Sequence, residues 1–254
     1  MQAGNLDDVL SILDTLIADT KARRDPLGYF AALYRQVTLE VRKQIDNGFF
    51  DDGQRMDRFD TLFANRYFTA YDTFITGEQP SRVWNKAFKS VQSGQLIILQ
   101  NLRVGINAHI NLDLGVVTGE TFQGATLDDF HDDFDKINDI LSSLIPQVQN
   151  TIEQFSPLLG TLEVLGGGQG AAEVLDFSLD AARDDAWFHA TLISLQPPTV
   201  RQLTVRALDG KATFLGRLIT QPVEPVATAV TLIRATEDTN VPAIITALDN
   251  IVEP

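Results

Sequence analysis

The chain has 254 residues, of which 44% are hydrophobic and 21% are charged, a composition typical of a folded globular protein. Its 34 acidic and 20 basic residues give a formal net charge of −14, which argues against a nucleic acid or an anionic membrane surface as the main partner. The absence of cysteine excludes disulfides, thiolate metal sites and cysteine nucleophiles, and three histidines are too few for a site built from four imidazoles.

The N-terminal segment is acidic where a signal peptide would be basic, and no apolar run of signal-peptide length follows it. The most apolar stretch, residues 96–117, is too polar for a lipid span. It is interrupted by Gln100, Asn101, Arg103, Asn107, His109, Asn111 and Asp113. We therefore expect a cytoplasmic protein without a membrane span.

The first ninety residues show apolar positions at intervals of three and four, which predict amphipathic helices. Aspartate or serine beside proline marks helix starts, and glycine marks breaks between helices. These signals place a first helix on residues 6–16, a second from Asp25-Pro26 to about Phe50, a third after Asp51-Asp52-Gly53 as far as Gly77, and a short fourth from Pro80-Ser81.

The segment from Gly94 to about Val117 is apolar on nearly all sides, which is typical of a central helix surrounded by others. No run alternates with a period of two, and the predicted connections are short. The sequence therefore predicts an all-α fold, a single domain over residues 1–254 with eight to ten helices around this buried central helix.

The C-terminal half continues the helical pattern. Thr126 is the predicted N-cap of a long helix that Pro146 and Pro157 bend or end. The glycine-rich stretch at residues 166–170 is interpreted as a flexible connection, because a phosphate-binding loop would need a preceding strand and a Lys-Ser/Thr. Later helices are predicted at about residues 171–195, 223–235 and 241–252, and a further helix between the first two of these ends at about residue 219.

Polar residues in the central helix must be paired or functional, since an unsatisfied buried polar group costs about 1–3 kcal/mol. At 100° per residue Arg103, Asn107 and Asn111 share one stripe of this helix, and His109 and Asp113 share another. Being four apart, His109 and Asp113 can both reach one metal ion, or each other.

The other two histidines also have an aspartate four residues away: His131 with Asp135, and His189 with Asp185. His131 lies in an acidic run, and such a run is most often a solvated helix face. His189, near Trp187, is more often a core residue with a satisfied nitrogen than a ligand. The sequence leaves both interpretations open.

Several segments together resemble a bacterial protein family of unknown function, over about residues 30–195. They are Tyr67-Phe68-x-Ala70, Trp84-x-x-Ala87-Phe88, Asn107-Ala-His-Ile-Asn-x-Asp-Leu114 and Asp135-x-Ile137-Asn138, the third being the most specific. The resemblance implies a helical fold and supplies no activity. The His-x-x-x-Asp pair is also distantly similar to that of zinc-dependent phospholipases C, whose three-zinc cluster needs more histidines than this chain has.

Two hypotheses follow. In the first, the chain is an enzyme for hydrolysis, elimination or cyclisation of a small apolar ligand, with His109 and Asp113 as catalytic residues and Asn107, Asn111, Asn138 and Arg103 as substrate contacts. One divalent ion (zinc, iron or manganese) would be a cofactor, with His109, Asp113, Asp135 and His131 as its ligands. For this site the helices carrying His109 and Asp135 should face one cavity. In the second hypothesis, the chain is a non-catalytic helical binding or interaction protein, and its buried polar residues form a structural network.

Overall fold

Side chains cap the helices of the N-terminal region. In the computed structural model, which describes residues 1–162 and 179–252, Asn5, Asp52 and Ser81 each accept a hydrogen bond from the backbone N–H three residues further on. These caps satisfy N–H groups that a helix start leaves without partners. They precede α1 (Leu6–Arg23), α3 (Gly53–Ile75) and α4 (Arg82–Gln92), while α2 (Gly28–Asp46) follows a turn at Asp25.

The central element is one continuous helix with a change of winding in the middle. It comprises α5 (Ile98–Ala108), a π-helix (His109–Leu114) and α6 (Gly115–Thr121). Every residue from 107 to 114 is buried. Helices α2 and α4 pack against α5, and α3 packs against the π-helix. The prediction of a buried central helix is confirmed.

The remaining helices complete an all-α fold. They are α7 (Ala125–Asp128), α8 (His131–Glu153), α9 (Leu179–Ser194), α10 (Pro198–Thr220), α11 (Val226–Thr236) and α12 (Val241–Leu248). No strand occurs in the described residues, and the fold class predicted from the sequence is confirmed. None of the helices seen there combines the length and the apolar character needed to cross a bilayer.

Two predicted boundaries differ from the structure. Thr126 does not cap the long helix: its hydroxyl bonds to the backbone of Gln123, and the chain makes the single turn of α7 before α8 begins at His131. Pro146 does not end α8, which continues to Glu153, because apolar residues on both sides of the proline remain packed in the core. The glycine-rich stretch and the predicted start of the next helix lie outside the described residues.

A buried carboxylate ties α8 to the start of α3. Asp133 accepts hydrogen bonds from the backbone N–H groups of Asp51 and Asp52, at 2.7 and 3.2 Å, and from Nη2 of Arg55, at 2.6 Å. Burial alone would raise the pKa of Asp133, but the Arg55 and backbone hydrogen bonds outweigh it and leave the pKa below its ordinary value. This anchor holds α8 at the start of α3.

Helices α6 and α9 approach so closely that only glycine fits between them. A Cβ built on Gly119 would lie 2.5 Å from the backbone oxygen of Ala190, and one on Gly115 would lie 2.9 Å from that of Ala186. Backbone atoms cannot swing aside as the end of a side chain can. The contact therefore fixes the far end of the central helix.

Gly119→Ala tests this close approach. We expect it to lower stability by about 1–3 kcal/mol through overpacking, which corresponds to roughly 2–4 °C of melting temperature per kcal/mol. Gly210→Ala is the matched control, because its Cβ would meet only the Arg82 guanidinium at 3.4 Å. Helix propensity predicts a neutral or stabilising effect there. Equal melting temperatures of the two variants would contradict the tight α6–α9 contact.

Candidate functional site

A cavity of about 650 Å³ lies between α2, α3, the central helix and α8. Most of its wall is aliphatic or aromatic, and Arg183 of α9 also borders it. This size lies within the range of small-molecule sites in proteins, which are mostly apolar with a few polar groups. Apolar wall residues include Leu33, Val37, Met56, Ile106, Ile137 and Leu141.

Three polar side chains face this apolar cavity with buried atoms that have no hydrogen-bond partner among the described residues. These atoms are the Tyr34 hydroxyl, Oδ2 of Asp60 and both ring nitrogens of His109. A buried polar group without a partner costs about 1–3 kcal/mol, so three around one space are unusual in a core that serves stability alone. These groups are able to contact the polar part of a small molecule.

His109 is held by rings rather than by hydrogen bonds. Its imidazole stacks on the Phe63 ring at 3.6 Å between centroids, and the Tyr34 ring meets it edge-on at 4.7 Å. Burial lowers the pKa of His109, although the nearby Asp113 opposes this effect. The imidazole is therefore neutral at neutral pH and can accept a proton.

Asp113 lies on the side of His109 that faces away from the cavity, and other side chains pair with it there. Its carboxylate accepts hydrogen bonds from Nε of Arg66 at 2.9 Å and from Nε1 of Trp84 at 2.7 Å. Nδ1 of His109 is 3.7 Å from Oδ2 of Asp113, close enough for electrostatic attraction but too long for a hydrogen bond. Burial would raise the pKa of Asp113, but Arg66, His109 and Trp84 reverse the effect and lower it.

The π-helix contains both members of this pair, from His109 at its start to Asp113 one residue before its end. Short π-helical segments inside α-helices are rare and often occur at functional sites. Close packing continues just before it, where a Cβ on Gly105 would lie 2.6 Å from the Phe30 ring. The irregular winding and the tight packing together set the orientation of the imidazole.

Asp60 is a buried acid with a strongly shifted pKa. Burial, and secondarily the charge of Asp57, raise the pKa of Asp60 to about 7, while Arg183 acts in the opposite direction. A carboxyl with this pKa carries a proton in a large part of the molecules at neutral pH. It can then act as a hydrogen-bond donor or as an acid.

Arg183 is also buried at the edge of the cavity, and its guanidinium lies 4.4 Å from the centre of the Phe134 ring. It donates hydrogen bonds to Oδ1 of Asn138 and to the Phe134 carbonyl. Burial lowers its pKa to about 10, although nearby aspartates oppose the shift. Asn138, predicted as a substrate contact, thus positions Arg183, whereas Arg103 lines the cavity itself.

The two other predicted substrate contacts pack against α10. Nδ2 of Asn107 donates to the Ala212 carbonyl at 2.9 Å, and Nδ2 of Asn111 donates to Oδ1 of Asn107 at 3.1 Å. Neither amide lines the cavity. The two asparagine side chains face α10 instead, where the buried amides bond to each other and to the backbone.

The other two histidines contact the aspartates four residues away from them, but these contacts lie away from the cavity. His131 and Asp135 are 3.6 Å apart on an exposed part of α8, and the His131 ring stacks on Trp187 at 4.1 Å. His189 contacts both the carboxylate and the carbonyl of Asp185, at 3.2 and 2.7 Å. The helices of His109 and Asp135 both border the cavity, but Asp135 does not face it.

The four predicted metal ligands are therefore not brought together. Within residues 1–162 and 179–252, no three His, Asp or Glu side chains are grouped so that they could hold a metal ion. His109 and Asp113 provide two donors, and Asp113 already serves Arg66 and Trp84. A catalytic zinc site usually has three protein ligands, so this donor set does not fit one. A divalent ion stays a prediction, which metal analysis of the purified protein would check.

The sequence interpretation missed Tyr34 and Asp60. A signal for Asp60 was present: the residue follows Phe59 and lies one turn from Met56 and Phe63, within the apolar stripe of α3. A carboxylate in such a stripe must be paired, protonated or functional. Tyr34 gave no signal, since a tyrosine in an apolar stripe is usual in a core.

Comparison with known proteins identifies a family but no activity. The model of a family described as "Family of unknown function (DUF5995)" matches residues 6–222, a range that includes Tyr34, Asp60, His109 and Asp113. No curated protein and no solved structure matches the chain. The similarity to zinc-dependent phospholipases C is thus supported by no match.

The pH dependence of stability tests the state of Asp60. Its pKa is raised from 3.8 in the unfolded chain to about 7 in the folded one, so the folded state binds more protons between these values. Stability then falls as pH rises from about 4 to 7, by a total of up to about 4 kcal/mol. Asp60→Asn removes this loss.

We therefore expect Asp60→Asn to melt well above the wild type at pH 8, with a difference that shrinks towards pH 4. Thermal melts of both proteins across this range provide the measurement. A difference that does not depend on pH would show that Asp60 has an ordinary pKa.

Proposed function

The chain belongs to the DUF5995 family of unknown function, and we propose that it is an enzyme that removes a proton from a small, mostly apolar molecule. The substrate would occupy the cavity between α2, α3, the central helix and α8. His109 would act as the general base and Asp113 as the group that stabilises it.

One observation carries this proposal: the buried His109 imidazole borders an apolar cavity, and neither of its nitrogens has a hydrogen-bond partner among the described residues. A neutral imidazole is a proton acceptor. The Asp113 carboxylate behind it, 3.7 Å from Nδ1, favours the imidazolium that forms when a proton is taken up. Nε2, the nitrogen farther from Asp113, is then the atom that would take the proton.

The walls of the cavity support the choice of substrate. Their aliphatic and aromatic side chains favour a hydrocarbon-like body, and the polar groups can contact a single polar part of it. Hydrolysis, elimination and cyclisation all include a step in which a base removes a proton, so each remains compatible with this site. Arg103 stays a proposed substrate contact because it lines the cavity. The proposed step does not use a metal ion.

A non-catalytic binding protein is the second candidate, and the position of Asp113 favours it. In a typical catalytic pair the acid holds the imidazole by a hydrogen bond. Here Asp113 bonds to Arg66 and Trp84 instead, and the 3.7 Å to His109 exceeds hydrogen-bond range. On this alternative, His109 would only bind the polar part of the ligand.

The neutral dye Nile red, which fluoresces in apolar surroundings, tests whether the cavity binds ligands. Leu141→Trp places an indole in the cavity, so we expect dye affinity to fall by about tenfold or more. Leu62→Trp is the control because Leu62 is 45% exposed on α3, and it should bind the dye like the wild type. Circular dichroism verifies that both variants are folded. Unchanged binding by Leu141→Trp would show that the dye, and by inference a substrate, does not use this cavity.

Stability separates a functional His109 from a structural one. His109→Phe keeps a ring to stack on Phe63 and removes two nitrogens that have no partner, so we expect it to stabilise the protein by about 1–3 kcal/mol. Asp113→Asn weakens the pairing of Arg66, and we expect a loss of similar size. Thermal melts measure both. A lower melting temperature for His109→Phe would mean that the imidazole is part of a structural network.

A further inference from the structure

We infer, building on the proposed function, that the substrate carries a carbonyl oxygen held by the Tyr34 hydroxyl and the Asp60 carboxyl, and that His109 removes a proton from the carbon next to that carbonyl. The class of substrate is therefore an apolar ketone or a related carbonyl compound. The reaction begins with enolisation.

Tyr34 is the first group that points to a carbonyl. Its hydroxyl is buried, borders the cavity and has no partner in the described part of the chain. Burial, and then the charges of Asp60 and Asp113, raise its pKa well above the ordinary value, so the phenol keeps its proton. A neutral hydroxyl of this kind donates a hydrogen bond to an oxygen. Its ring lies 4.7 Å from that of His109, which keeps donor and base at one end of the cavity.

Asp60 is the second donor. Oδ2 lacks a partner, and the raised pKa leaves the carboxyl protonated in much of the population near neutral pH. Asp60 lies one helical turn before Phe63, the residue on which His109 stacks. The carboxyl and the imidazole thus border the same cavity from adjoining helices. Two neutral donors beside a neutral base match an uncharged acceptor oxygen.

The chemistry balances without a cofactor. The C–H bond next to the carbonyl breaks, and its proton moves to Nε2 of His109. The electron pair of that bond forms the C=C bond of an enolate, and the carbonyl π electrons move to oxygen. Tyr34 and Asp60 then donate hydrogen bonds to this oxygen, where negative charge develops. Return of a proton from the imidazole restores the ketone or gives its isomer.

A carboxylate ligand is the main rival because Arg183 and Arg103 also border the cavity. Arg183, however, already donates to Asn138 and to the Phe134 carbonyl, and its guanidinium lies over the Phe134 ring. A ligand carboxylate would also lie near Asp60, whose ionisation the site already disfavours. The observations favour an uncharged oxygen over a carboxylate. The experiment below distinguishes the two ligands.

The experiment uses three probes of equal chain length: dodecane, 2-dodecanone and dodecanoate. Displacement of Nile red reports the binding of each probe. Deuterium incorporation beside the carbonyl of 2-dodecanone in D2O, followed by mass spectrometry, reports proton removal. The proteins are the wild type, His109→Phe, Tyr34→Phe, Asp60→Leu, which has no hydrogen-bond donor, and the surface control Leu62→Trp, with a sample without protein for background exchange.

We expect 2-dodecanone to bind more tightly than dodecane and dodecanoate, and the wild type and Leu62→Trp to catalyse its exchange. His109→Phe should lose at least about 10²-fold of the exchange rate, the usual contribution of a general base. Tyr34→Phe and Asp60→Leu should each lose about 10²-fold, as when a donor to a developing oxyanion is removed.

The two proposals fail differently. If no probe displaces Nile red, the cavity does not bind apolar ligands and the proposed function itself is overturned. If the probes bind but the wild type exchanges no faster than His109→Phe, or Tyr34→Phe and Asp60→Leu exchange like the wild type, the carbonyl assignment is overturned while ligand binding stands. If dodecanoate binds most tightly of the three probes, and the substitutions at Tyr34 and Asp60 leave its binding unchanged, the ligand carries a carboxylate instead of a carbonyl.

Discussion

The architecture around the cavity depends on how one buried negative charge, the Asp113 carboxylate, is held. An ionised carboxylate in a protein interior costs several kcal/mol unless charged or polar partners compensate it. Arg66 from α3 and Trp84 from α4 supply this compensation, and each must therefore keep its helix in register with the π-helix. Because His109 lies four residues before Asp113, the same anchor also determines where the imidazole faces.

The cavity is costly to maintain. Each buried polar atom without a partner costs about 1–3 kcal/mol, and the described residues leave such atoms on Tyr34, Asp60 and His109 around a single space. Apolar residues of similar shape at these positions would give a more stable protein. Proteins that retain such costs usually do so at functional sites. Close ring packing around His109 compensates part of the loss.

The helical fold and the buried central helix could be predicted because both depend on local periodicity. The contact of His109 with Asp113 could be predicted for the same reason, since it follows from a spacing of four residues in one helix. The cavity could not be predicted, since Leu33 and Leu141 have the same sequence pattern whether their helices touch or leave space between them. Asn107 also shows this limit. Its burial follows from its position in the apolar central helix. That its amide bonds to the Ala212 carbonyl of α10 is visible only once the position of α10 is known.

Burial shifts the pKa values of two groups of the cavity, His109 and Asp60, in opposite directions, and both shifts favour the neutral forms. It lowers the pKa of His109 and raises that of Asp60 to about 7, so one group becomes a proton acceptor and the other a proton donor. Environments that separate pKa values in this way often assign base and acid roles. The full charge of Asp113 is kept one layer behind the imidazole, outside the cavity. There it would not repel the uncharged ligand that we propose, and at 3.7 Å from Nδ1 it is close enough to stabilise an imidazolium at His109.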